Sequence, residues 1–291
     1  CGLMVAGLGG LDPFLEIACH GRPGGDDAGL PPDAAVEQPD AGPPEIQWAE
    51  RPNHLTARVS VTAELLSAQT TVSAHVGEPE RAPPFGCVTR MVDLRRPDDG
   101  GQGFDAGGIA VGGLSRDPVE LVPQFDGTGS TYPPVAMDQR DVLGGGVITA
   151  ESAGGRHFPP FHVEGSMPES PNVTRPQAAI GESYPASDPL LVQWDEAIAA
   201  DFVTVDVRPA EIVQAQVEPR SGAWTTCRVD DAGTFTVPGG TLASITEGAD
   251  FLGTPALVSV TRWKVSSTHY GQDVVEIEAS ASAAVFVTFV P

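Results

Sequence analysis

Thirty-four glycines and 28 prolines in 291 residues exclude a large helical fold. Together they make up about a fifth of the chain, roughly twice their usual share. In a helix interior a glycine costs about 1 kcal/mol and a proline about 3 kcal/mol relative to alanine. The same residues are the natural breaks between short strands. Hydrophobic residues reach 41%, which is enough for a core. The length suits one large domain or two of ordinary size.

Strand periodicity begins near residue 54. Leu55, Ala57, Val59, Val61 and Ala63 alternate with polar residues, as in a half-buried strand. Further candidates lie at 69–76, 87–94, 107–114, 119–125, 146–152 and 160–165. After a proline cluster at 168–176 they resume at 189–194, 201–208, 212–217, 223–229, 233–237, 256–265, 273–279 and 283–290. Asp230-Asp231-Ala232-Gly233 reads as a turn between strands. Residues 242–246 read as one short helical turn. The final AVFVTFV is apolar on both faces, which predicts a central strand. The glycine-rich stretches 100–113 and 144–155 predict long loops or bulges. The expected fold class is all-β: two β-sandwich units, 54–167 and 168–291, each close to the size of an immunoglobulin domain.

The second unit carries a resemblance. PLLVQWDEAIAADFVTVDVR (189–208) is similar to the early strand pair of fibronectin-III or immunoglobulin-like modules, with Trp194 facing inward. TTCRVDDAGTFTVP (225–238) and SVTRWKVSS (259–267) are similar to the later strands of such a module. The likeness covers about 100 C-terminal residues and rests on pattern, with no catalytic motif to carry over. Trp224 and Trp263 are expected in the core with Trp194.

The N-terminal part is different. Cys1 and Gly2 precede an apolar stretch at 3–11, and Asp12 is the first charged residue. Residues 21–53 are dominated by Pro, Gly, Asp and Ala, and predict an extended acidic arm. The expected organisation is an apolar anchor or docking segment at 1–20, a linker at 21–53, and then the β body. Cys1 ahead of such a tether resembles a bacterial lipoprotein, in which Cys1 carries the lipid. The whole plan resembles uncharacterised surface lipoproteins of Gram-negative bacteria. It implies an exported protein at the outer membrane or cell surface, on the periplasmic or extracellular face. Trp48, just before the body, is the aromatic expected at an interface.

The charge narrows the partners. Thirty-nine acidic and 16 basic residues leave a net −23. Such a field repels phosphate backbones, so no nucleic acid is expected. The acidity serves solubility or, in a sharper reading, calcium or a basic partner. The loop RPDDGGQGFDAGG (96–108) offers Asp98, Asp99 and Asp105 to calcium, but lacks the alternating DxDxDG and a terminal bidentate Glu. A plain acidic turn explains it better.

Four cysteines, Cys1, Cys19, Cys87 and Cys227, form no CxxC pair. With Cys1 lipidated, the favoured pairing is a Cys87–Cys227 disulfide. Cys19–Cys87, or three buried and reduced thiols, remain as alternatives. EIACH lacks the first cysteine of a c-type haem site.

Catalytic signatures are missing. The sequence holds no GxSxG, SxxK or HExxH. His157 and His162 flank Pro159 and Pro160, which cannot be helical and so do not present both rings on one face. Aromatic residues are 6%, which argues against an extended sugar-binding platform. No cofactor is expected beyond the lipid on Cys1 and calcium. The expected function is non-enzymatic: a structural or accessory subunit of a cell-envelope or extracellular assembly, docked through its N-terminal arm onto protein partners or copies of itself. The alternative is a surface adhesin or ligand-binding module that uses the end loops of a sandwich.

Overall fold

A computed structural model describes residues 53–291 apart from 65–68, 79–83, 95–102, 115–117, 126, 128, 139–144, 178–182, 197–199, 214–215 and 247–252. The first half contains β1 (Thr56–Glu64), β2 (Gln69–Gly77), β3 (Gly86–Val92), β4 (Ile109–Gly112), β5 (Val119–Leu121), β6 (Gln124–Phe125), β7 (Ser130–Asp138), β8 (Val147–Ser152) and β9 (Phe161–Ser166). The second contains β10 (Val173–Arg175), β11 (Ser183–Pro185), β12 (Leu190–Trp194), β13 (Phe202–Val213), β14 (Gln216–Pro219), β15 (Gly222–Val229) and β16 (Thr234–Val237). A helical turn α1 (Gly239–Leu242) and a 3-10 turn (Ala243–Thr246) precede β17 (Thr254–Tyr270) and β18 (Asp273–Val290). The fold is nearly all β.

A long hairpin organises these strands. β17 and β18 pair antiparallel from Thr254↔Phe289 to Tyr270↔Asp273. At about 3.4 Å per residue each spans more than 50 Å. The two-residue loop Gly271-Gln272 closes the hairpin. Gly271 has φ +68°, which matches the twist that favours primed turns. On one edge of the hairpin β17 pairs with β13, which pairs with β15, which pairs with β3. On the other edge β18 pairs in parallel with β1, followed by β2, β7 and β6. β11 also joins β18, and β14 extends β13. Among the described residues the result is one 11-stranded sheet.

Two small sheets stack on the same face of this sheet. The sheet β5-β4-β8-β9 brings Ile109, Val111, Leu121, Ile148 and Val163 onto Val59, Val61, Val72, Val275 and Ile277. The sheet β10-β12-β16, with the helical turns, brings Leu190, Val192, Val237 and Leu242 onto Val203, Val205, Val258, Val260 and Phe289. Two cores result. β18 serves both, with Val275 to Ala281 in the first and Val287 and Phe289 in the second.

The segments 54–167 and 168–291 therefore share one sheet, and β18 of the second also completes the core of the first. β1 lies beside β18, and β3 lies beside β15. At the junction of the cores sits Arg262, wholly buried. Its Nε donates to Asp231 Oδ2 at 3.0 Å, and its Nη2 donates to the carbonyl and Oδ1 of Asp195. Trp194 Nε1 donates to the other oxygen of Asp231 at 2.7 Å. This cluster ties the small C-terminal sheet to β17.

Several expectations need correction. Residues 130–138, not among the candidate strands, form β7 despite Pro133 and Pro134; the pairing with β2 shifts register at this point, where two missing N–H donors are tolerated. The candidates 273–279 and 283–290 are one strand, because serine and alanine do not interrupt it. Trp194 is in the core, but Trp224 and Trp263 are half-buried on the opposite face of the sheet.

Candidate functional site

The face of the large sheet turned away from the cores carries polar side chains. Strand alternation puts Thr204, Asp206 and Arg208 of β13 there, opposite the core residues Val203, Val205 and Val207. Leu257, Ser259, Thr261 and Trp263 of β17 share this face, as do Ser280, Ser282 and Ala284 of β18. β1 and β2 add Thr62, Glu64 and Gln69.

All of these but Thr204 line a cleft of about 710 Å³, within the range that holds small ligands. Its floor runs from β13 through β17, β18 and β1 to β2, a width of about 19 Å at about 4.8 Å per strand spacing. Val217, Glu218 and Pro219 of β14 line the same cleft, so the hairpin of β13 and β14 forms a wall.

The floor is held rigid. Asp206 is buried and accepts from Thr226 Oγ1 at 2.5 Å and from Thr204 Oγ1 at 3.4 Å. Arg208 Nη2 lies 3.5 Å from Asp206 Oδ2, and its guanidinium rests 4.9 Å from the centre of the Trp224 ring. Arg208 Nε, shut off from solvent, has no hydrogen-bond partner among the described residues. Trp263 Nε1 donates to Thr204 Oγ1 at 3.0 Å. Its ring stacks on Phe202 at 5.9 Å, and the guanidinium of Arg228 covers Phe202 at 3.9 Å. Trp263 is thus fixed in orientation while lining the cleft.

The balance of charge in the lining is acidic: Glu64, Asp206 and Glu218 against Arg208. Anionic ligands are disfavoured there. Hydroxyls dominate the middle of the floor, where Ser259, Thr261, Ser280 and Ser282 lie on neighbouring strands.

Of the residues singled out from sequence, Cys1, Cys19, Trp48, Asp98 and Asp99 fall outside the described residues. Cys87 and Cys227 face each other across β3 and β15 and are joined by a disulfide. Asp105 closes a turn: its Oδ1 accepts from Gly107 N at 2.7 Å and its Oδ2 from Arg156 N at 3.4 Å. Among the described residues no three His, Cys, Asp or Glu side chains converge as a metal site. His157 is buried against Phe104, whereas His162 is exposed beside Glu151 and Glu164. The two histidines do not form one site.

Beside Asp105, Tyr132 Oη accepts from Ala106 N at 2.9 Å and donates to the Gly107 carbonyl at 3.0 Å. Burial, with a smaller push from the Asp105 charge, lifts its phenol pKa to about 12.

Sequence reasoning missed Asp206, Arg208 and Trp263 as a group. The available signal was the alternation V-D-V-R at 205–208, which puts two opposite charges on one face of an otherwise apolar strand. No protein-family model matches this chain, and no curated protein was found to be similar to it.

Proposed function

We propose that this chain is an exported, non-enzymatic accessory protein of the cell envelope that works by binding through the polar cleft of its large sheet. The observation that carries this reading is the cleft itself: a 710 Å³ recess whose Asp206, Arg208 and Trp263 are held in place by neighbours on the same sheet face. Preorganised polar groups around a fixed aromatic are what a binding site requires. The Cys87–Cys227 disulfide supports an oxidising compartment and hence export. Under this reading residues 1–53 are the extended Pro/Gly/Asp-rich arm, Cys1 bears the lipid, and the C-terminal sandwich is the immunoglobulin-like display unit. The binding surface is then a sheet face, where the sequence reading put docking in the N-terminal arm or, in its alternative, binding at sandwich end loops.

A second reading, a packing subunit of an assembly, is favoured by one observation. β3 is an edge strand, and Phe85, Val88, Met91 and Leu94 on and around it are exposed at 48–79%. Exposed apolar edges invite strand pairing.

Cell-envelope fractionation separates the two. A chain lacking residues 1–53 is expected to leave the membrane fraction yet still bind envelope material, with loss of that binding on cleft substitution. Loss of an assembled complex on substitution of Val88 and Met91, with cleft substitutions silent, supports the subunit reading instead.

A further inference from the structure

We propose that the cleft binds a short neutral oligosaccharide, a specificity that rests on the binding function proposed above. The lining narrows the ligand by elimination. Three carboxylates against one guanidinium reject phosphate, sulfate and uronate groups. A floor of serine and threonine hydroxyls rejects a wholly apolar ligand, because each hydroxyl covered without a partner is penalised.

Sugar hydroxyls suit this floor. Each one donates and accepts at once, so successive rings of a short chain laid across the floor pair with the hydroxyls of Ser259, Thr261 and Ser282, the carboxylate of Glu218 and the donors of Arg208. The C–H face of a pyranose packs on an aromatic ring, and Trp263 is pinned by Phe202 and Thr204. A fixed indole loses little entropy when a ligand covers it. One tryptophan in a recess of this size fits a few sugar units, in keeping with the low aromatic content that argues against an extended platform.

The test is calorimetric titration of the full chain with a panel of neutral gluco-, galacto- and manno-oligosaccharides of two to four units, and with oligolysine. Saturable binding of at least one saccharide is expected. Trp263→Ala is expected to weaken it about tenfold or more. Ser259→Leu gives a second route, because Ser259 makes no side-chain hydrogen bond in the described structure and its replacement fills the floor without removing one. It is expected to weaken binding by a similar factor with an unchanged melting temperature. Met91→Ser on the edge strand is expected to leave affinity unchanged.

Three results overturn the proposal. Saccharide binding indifferent to both cleft variants places the site elsewhere. Oligolysine binding, lost in Ser259→Leu, with no saccharide bound, makes the cleft a site for basic segments and leaves the binding function standing. No binding of any probe by the folded chain removes the saccharide reading, and the binding function is then decided by whether envelope material still engages Trp263.

Discussion

At the scale of single residues, the fold depends on a few buried polar groups whose partners are all supplied by distant parts of the chain. Arg262 is the clearest. It points to the core side of β17, where its neighbours in the alternation are Val258 and Val260, and it survives there because Asp231 and Asp195 meet it. Breaking a buried ion pair by removing one partner costs about 3–5 kcal/mol. Arg262→Ala, which strands Asp231, is expected to lower stability by that order in urea denaturation; a loss under about 1 kcal/mol contradicts the role. Tyr132 gives a pH signature. Its pKa is near 10 when unfolded and about 12 when folded, so the native state holds the proton more tightly. Its contribution is fully present below about pH 10 and is lost as pH rises through about 12. Tyr132→Phe is expected to be less stable at neutral pH, because Ala106 N and the Gly107 carbonyl lose their partner. It should also show a shallower decline in stability between pH 10 and 12, read by denaturant titration at each pH.

At the scale of elements, the long hairpin and the disulfide carry the architecture. Cys87 and Cys227 join an edge strand of the first half to a strand of the second, closing a separation of 140 residues. In the chain-entropy account such a loop is worth about 4–5 kcal/mol. The double variant Cys87→Ala/Cys227→Ala is expected to melt well below the parent, and β3 amides are expected to lose hydrogen-exchange protection before those of β17. Much of this layer was legible from sequence. β1, β2, β8, β12 and β15 lie where alternation put them, and the turn at Asp230-Asp231-Ala232-Gly233 joins β15 to β16. β7 was hidden because its prolines are harmless only at a register shift, which is a property of the partner strand. The unbroken length of β18 was hidden because small residues signal nothing locally; they are accommodated by packing at the junction of two cores.

At the scale of the whole molecule, a single sheet has one face committed to two cores and the other free to form a polar cleft. The sequence placed strand candidates at 201–208, 256–265, 273–279 and 283–290 but did not place them side by side, and only adjacency turns five separate stripes into a floor. It also divided the body at residue 167, yet segments on both sides of that point share the sheet and, through β18, the first core, because pairing across it is nonlocal. The central claim is that the working surface is the cleft and not the apolar edge at β3. Hydroxyl-radical footprinting of the full chain with and without envelope material from the producing cells tests it most directly. The account predicts protection of Trp263 and Pro219 with Phe85 and Met91 unchanged. Protection confined to Phe85 and Met91, or no protection at Trp263, contradicts it.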